Sequence, residues 1–298
     1  MILSNPITVK ELRVRMRGLR AILPIMAYLI VLGIFVLIQF NEYGGTLKYQ
    51  DLEGSGRDLG FLLLYIQIFL VLILSPAYAA SAITIEKERE TFDVMQTTLL
   101  TSWDIVSGKV FSGFSYAVLL VMSSLPLLSL SFWMGGFDLN HLFWGFLIVS
   151  TCALVTTCVG IFLSTVVSRS YLATGVTYGV VLAAVGLSWL LNFILQRFYM
   201  SQTQLSSLHF GWDTIPMWLG FTLNPLFMMQ ALDQGDILFY RGQAAYYNNP
   251  LIELFNNLFG AFHLPYIAAH VLMSALLSAL LILFASYFLF RSSREDNK

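Results

Sequence analysis

IEKERETFDVMQTTLLTSWDIVSGK, residues Ile85 to Lys109, is the stretch on which the reading of this chain turns. It is a charged, helix-patterned segment between two hydrophobic runs. Ile85, Phe92, Leu99 and Val106 recur every seven residues, with Met95 between two of them, and lay an apolar stripe along a helix. Glu86, Lys87, Glu88, Arg89, Glu90 and Asp93 fall on the other face, where they meet water. The acids cluster in the first turns, where the helix dipole favours them. Thr101 or Ser102 has the form of an N-cap, and Asp104 stands three residues after Thr101 in a capping-box position. The pattern predicts a helix from Ile85, a sharp turn near Leu100 to Ser102, and a second helix leading into the next apolar run. Such a bent, charged hairpin is either a solvated loop or a handle for a soluble partner, and the pattern alone leaves both open.

The rest of the chain sets the context. Of 298 residues, 57% are hydrophobic and only 11% are charged. A soluble domain carries roughly 25% charged residues. An all-α, multi-span membrane protein is the reading that composition supports. Six spans are expected, at about 21–40, 60–82, 110–133, 141–167, 171–195 and 264–290, each near the ~20 residues that cross a ~30 Å hydrocarbon core. A polar loop is expected over 41–59, the charged segment over 83–109, and a large outer region over 196–263. Pro126 falls inside the third span and marks a kink. Within the outer region, Phe210 to Leu232 is apolar enough for another span. It holds Asp213, Pro216 and Pro225, however, and counting it would move the basic tail to the far side. It is read as helices packed at the outer interface or re-entering it.

Ahead of the first span, residues 5–20 begin with Asn5-Pro6, a preferred N-cap and first helical residue. Val9, Leu12, Met16 and Leu19 form an apolar stripe, and Lys10, Arg13, Arg17 and Arg20 a cationic one beside it. This describes a helix lying in the membrane interface against anionic lipid. It leads straight into a span, so a nucleic-acid-binding arm is disfavoured and nucleic acid is not an expected partner. The long basic region, with no small-residue cleavage site after the first apolar run, does not read as a cleaved signal peptide.

Six spans put both termini on one side. That side would hold Lys10, Arg13, Arg15, Arg17, Arg20, Lys87, Arg89, Lys109, Arg169, Arg291, Arg294 and Lys298, and the other only Lys48, Arg57, Arg197 and Arg241. The positive-inside rule makes both termini, and the 85–109 segment, cytoplasmic.

Several chemistries lack their residues. None of the 17 acidic residues falls within an expected span, which weakens proton or sodium coupling through membrane carboxylates. Around Gly108-Lys109, Trp103 stands where the first glycine of a phosphate-binding loop would be, and Val110 where its Ser or Thr would be. The chain is therefore not expected to hydrolyse ATP by that route. Cys152 and Cys158 lie about 9 Å apart along a helix axis, too far for a disulfide. His270, about two turns inside the last span, is read as hydrogen-bonded between helices. No catalytic, metal-binding or cofactor-binding residue is assigned.

The segment from Glu86 onward resembles the loop between the second and third spans of the ABC type-2 permease family. Glu86, Glu88, Thr91, Thr98, Ser102, Asp104, Ile105, Gly108 and Lys109 fit that family's pattern. Glu90 stands where the family often has Gly, and Leu99 where it often has Pro. NPITVKELRVRMRG is similar to the family's N-terminal elbow helix, and SRSYLAT (Ser168 to Thr174) to its short inner loop. The resemblance implies a permease, the membrane half of an ATP-binding cassette exporter. It also implies that Glu86, Glu88, Arg89, Thr91, Phe92, Thr98, Leu99 and Ser102 form a coupling element for a cytoplasmic ABC ATPase, which holds the ATP and Mg. A second permease, either another copy or a paralogue, would complete the unit in a prokaryotic-type plasma (inner) membrane. An ion-coupled secondary transporter, and a membrane-embedded enzyme or scaffold, are the alternatives.

Overall fold

The structure is a computed structural model and describes residues 6–15, 18–42, 52–91, 101–200, 223–233 and 266–295. In hydrocarbon a helix satisfies every backbone N–H and C=O within its own segment, so the apolar runs become helices. These are α1 (Pro6–Arg15), α2 (Leu19–Glu42), α3 (Leu52–Ala79), α4 (Thr84–Glu88), α5 (Ser102–Ser123), α6 (Leu125–Met134), α7 (Leu139–Val166), α8 (Ser170–Met200), α9 (Pro225–Asp233) and α10 (Tyr266–Glu295). No strand occurs among the described residues. Six helical segments are long and apolar enough to cross a membrane: α2, α3 running on through α4, α5 with α6, α7, α8 and α10. The chain is a multi-pass, all-helical membrane protein.

α3 and α7 are the inner helices. In each, 61% of the most apolar window is buried, against 17% in α2, 11% in α8 and 17% in α10. These last three therefore turn most of their apolar surface outward. α7 packs against α3, α5, α8, α9 and α10. The main core holds Tyr28 and Leu32 of α2, Leu64 and Ile68 of α3, Leu120 of α5 and Ile148 of α7. A second core closes the end that carries α1 and α4, hereafter the base, with Ile7, Ile83, Val106, Cys158, Ile161 and Leu289. Cys152 and Cys158 are buried free thiols. His270 lies 3.2 Å from the Thr151 hydroxyl through Nε2, the interhelical hydrogen bond expected of it.

Three features refine the expected outline. First, α3 begins at Leu52, so residues expected as loop up to Leu59 are helical. The added turns have a surface to pack on, because Gly56 and Gly60 carry no side chain where the Gly135 carbonyl and the Phe137 ring come in. Gly135 and Gly136 make that α6–α7 turn with φ of 90° and 75°, a region open to glycine. Second, the kink expected at Pro126 is a break between two helices that meet at Ser124. Pro126 has no N–H to give to the helix before it. At the same break the Ser123 and Ser124 hydroxyls donate to Leu120 O and Val121 O, both at 2.6 Å. Third, the face by which α1 packs on the bundle lies beside the apolar stripe, which faces outward. Ile7 and Thr8 are buried, whereas Val9 and Val14 are exposed and Leu19, just beyond α1, is 72% exposed. Met16 lies outside the described residues.

Of the 196–263 region, the described part is the end of α8 and the short helix α9, which packs on α3 and α7. Arg57 of α3 donates to the Asp233 main-chain carbonyl, and its Nε lies 3.8 Å from Asp233 Oδ1. Burial pushes the Asp233 carboxyl above the ordinary carboxylate range, while the Arg57 guanidinium pulls it back.

Two predictions follow from this packing. At the α3–α7 crossing a Cβ on Gly160 would stand 2.7 Å from the Ala79 Cβ. Gly160→Ala should cost about 1–3 kcal/mol, read as a lower melting temperature in detergent. Gly175→Ala, with nothing within 4 Å, should melt no lower than wild type. For Asp233 the raised folded pKa means that the folded state holds its proton more tightly than the unfolded one. Its stabilising contribution is present at acid pH and lost as pH rises from about 4 through the raised value. The melting temperature of wild type relative to Asp233→Asn should therefore fall across that window and level off above it.

Candidate functional site

The site is the base, where the segment after α3 meets four other helices. α4 has five residues, far short of the length at which a helix is stable alone. It is held from outside at successive positions. Its start is capped by Ser164 of α7, whose hydroxyl oxygen accepts from the N–H groups of Ile83 (2.9 Å) and Thr84 (3.0 Å).

Glu86 turns inward to Lys109 of α5. Lys109 Nζ lies 2.9 Å from Glu86 Oε1 and 2.8 Å from Glu11 Oε1 of α1, and donates to Ala82 O at 2.9 Å. An ammonium has three N–H donors, and all three find acceptors here. The Ser112 hydroxyl donates to Glu11 Oε2 at 3.4 Å. The Lys109 side chain is 1% exposed, so this is a buried ion cluster of one cation between two carboxylates. Glu86 Oε2 is buried with no partner among the described residues. Attraction inside such a cluster is offset by desolvation, but taking away one partner strands the others and typically costs about 3–5 kcal/mol.

The next two residues reach elsewhere. Lys87 Nζ donates to Thr165 O at 2.8 Å, satisfying a carbonyl that the last turn of α7 leaves open. Glu88 accepts from the Ser170 N–H at 2.7 Å and from its hydroxyl at 2.8 Å. A carboxylate from another part of the chain thus caps the start of α8, where the helix dipole favours negative charge. Three consecutive side chains bind three different places: Glu86 the α1–α5 pair, Lys87 the end of α7, Glu88 the start of α8.

After Glu88 the helix stops. Glu90 has φ 55°, the left-handed region that a non-glycine residue rarely adopts. Arg89, Glu90 and Thr91 are exposed, and the Thr91 hydroxyl lies 3.3 Å from Glu86 O. Where the description resumes, Thr101 caps α5. Its hydroxyl oxygen accepts from the Asp104 N–H at 3.2 Å, and Asp104 Oδ2 accepts from the Thr101 N–H at 3.1 Å and hydroxyl at 2.6 Å. This is the reciprocal box that the spacing predicts. Ser102 is the first residue of α5 and half-buried.

Several sequence expectations change here. The charged face of 86–90 is not all solvated: Glu86 and Lys87 are half-buried and engaged within the chain. The heptad stripe does not continue as one helix from Ile85, which is itself 37% exposed. The tertiary contacts of residues 83–88 capture the chain, and the left-handed turn at Glu90 follows. Phe92, Thr98 and Leu99 lie outside the described residues. Of the basic stripe, Lys10 and Arg13 are exposed, and Arg17 and the Arg20 side chain lie outside the description. Glu11, Ser164, Thr165 and Ser170 are site residues that the sequence reading missed. Glu11 left a signal as the sole acid among the first twenty residues, in an otherwise cationic stretch.

A short charged element is thus clasped between an N-terminal helix and the ends of several spans. The family profile described as ABC-2 type transporter matches residues 7–192, more than half of the chain and all of the base as far as α8. The chain belongs to that family. Its members form the membrane part, the permease, of ABC transporters, are normally not themselves enzymes, and generally pair with ABC ATPase subunits. No curated protein matches the chain.

Lys109→Met should lower the melting temperature by several degrees, because it leaves Glu11 and Glu86 facing each other in a buried site. Glu11→Gln, which keeps a hydrogen-bond acceptor at the same place, should lower it less. Pairing Lys109→Met with Glu11→Gln should recover part of the loss, measured as a double-mutant cycle.

Proposed function

We propose that this chain is the permease subunit of an ATP-driven exporter, and that Glu86 to Ser102 receives the motion of a cytoplasmic ABC ATPase. The observation that carries this reading is the sequence of anchors just before an exposed tip. Arg89, Glu90 and Thr91 face outward, while Glu86, Lys87 and Glu88 fasten the same segment to α1, α5, α7 and α8. A force on the tip has little slack to take up before it reaches four helices. Phe92, Thr98, Leu99 and Ser102 belong to the same proposed contact set, with ATP and Mg held by the partner. Glu86 and Glu88 transmit rather than dock, since their carboxylates are already engaged inside the chain.

The orientation proposed is N-in and C-in, in a prokaryotic-type inner membrane, supported by the basic residues gathered at the base: Lys10, Arg13, Lys87, Arg89, Lys109 and Arg169. The outward apolar surfaces of α2, α8 and α10 suit lipid and a second permease, identical or paralogous.

The test is reconstitution of the chain with a candidate ABC ATPase in vesicles. Reversing the tip charges (Arg89→Glu with Glu90→Lys) should abolish ATPase binding while leaving the melting temperature unchanged. Glu88→Gln with Ser170→Ala should keep binding and hydrolysis but lower the transport obtained per ATP. Transport driven by an ion gradient with no ATPase present, or full ATPase binding by the tip variant, overturns the reading.

A further inference from the structure

A cavity of about 380 Å³ lies between α7, α8 and α10, running from Asn224 and His270 down to Val159 and Leu281. Its size is within the range of about 300–1,000 Å³ typical of small-molecule sites. The walls are successive turns of three spans: Val155 and Val159 of α7, Val181 and Ala184 of α8, Leu277 and Leu281 of α10. Leu72 of α3 lines it as well, and α9 borders it at Asn224 and Pro225.

Ser274 adds one hydroxyl to the wall, and most of the other polar groups there have spent their hydrogen bonds on the protein. The Thr156 hydroxyl donates to Cys152 O at 2.8 Å, and the Ser188 hydroxyl to Val185 O at 2.9 Å. Asn224 gives Nδ2 to the Ser188 oxygen (2.8 Å) and Val185 O (3.3 Å), and accepts from the Leu226 N–H through Oδ1 (2.9 Å). His270 Nε2 is engaged with Thr151. A sugar, a peptide or an inorganic ion entering here would shed its water with little in return, a cost of about 1–3 kcal/mol or more for each unpaired group. A hydrocarbon chain sheds nothing of that kind.

The setting agrees with this chemistry. α8 and α10 both pack on α7, and the cavity fills the space that they leave over its face. Val180 on the α8 wall is 44% exposed, and α8 and α10 are outward-facing helices whose surroundings in a bilayer are lipid tails. We propose that this cavity is a binding site for a long acyl chain, admitted sideways from the bilayer between α8 and α10. The site stands apart from the coupling reading, because occupancy requires no ATPase.

The chemistry is shared by a free fatty acid and by the tail of a bilayer phospholipid, and one experiment separates them. The full chain in lipid nanodiscs is irradiated with either a diazirine-bearing palmitate or a phosphatidylcholine carrying the diazirine on its acyl chain, and the adducts are mapped by mass spectrometry. Saturable adducts should gather on α7 near Val155 to Val159 and on α10 near Leu277 to Leu281, above the background on the exposed α2 residues Leu23, Ile30 and Leu37. Filling the space with Ala184→Phe or, from another wall, Leu277→Trp should reduce them about tenfold, a loss of ~1.4 kcal/mol in affinity. Adducts from palmitate alone assign a free acyl ligand, and adducts from phosphatidylcholine assign a bilayer tail. If either variant fails to fold, competition of the wild-type adducts by unlabelled palmitate or phosphatidylcholine decides. Labelling that is uniform over all outward faces, non-saturable, or untouched by both fills overturns the proposal, whatever the outcome of the ATPase experiments.

Discussion

The base depends on where one ammonium group is allowed to be. Lys109 sits about two turns inside α5, next to Ile105, Val106 and Val110, all buried in the apolar base. An isolated charge there would be prohibitive, so its partners must be brought to it. Glu11 is brought by the face of α1 that packs on the bundle. Glu86 is brought by winding the chain into α4 directly after α3. α1 thus has two faces with separate tasks: Ile7, Thr8 and Glu11 meet the bundle, while Val9 and Val14 are left outward, where a bilayer interface would receive them.

The same economy runs through α7. Gly160 lets α3 cross it closely, and Ser164 and Thr165 in its last turn supply an oxygen cap for α4 and a carbonyl for Lys87. Higher on the same helix Val155 and Val159 face the cavity. One inner helix therefore carries both the attachment of the charged segment and the wall of the apolar site, on different turns.

What was legible in the sequence was local or forced by the solvent. Long apolar runs must be helices in lipid, so six spans could be read directly. The Thr101–Asp104 box spans three residues and needs no tertiary knowledge. The clasp is different: Glu11 and Lys109 are 98 residues apart, Glu88 and Ser170 are 82 apart, and neither pair leaves a periodic trace. The helix predicted from Ile85 failed at Glu90 because side chains reaching other helices fix residues 83–88 more strongly than the stripe fixes their continuation. The family resemblance held the clue, since Glu90 occupies a place where glycine is common, and its φ of 55° is the conformation that glycine adopts without strain.

The positions of the clasp residues also impose an order of assembly during synthesis. Glu11, Glu86 and Lys109 all belong to the first 109 residues, so the ion cluster is complete once the start of α5 has been made. Ser164, Thr165 and Ser170 come later, with the end of α7 and the start of α8. Chains are made N-terminus first, and their early parts organise before the later ones exist. The first three spans can thus be fastened at the base as a unit, with Lys87 and Glu88 left waiting for the second half. Those two side chains act as a checkpoint between the halves: the short helix between them gains its outer supports only when α7 and α8 have arrived in register.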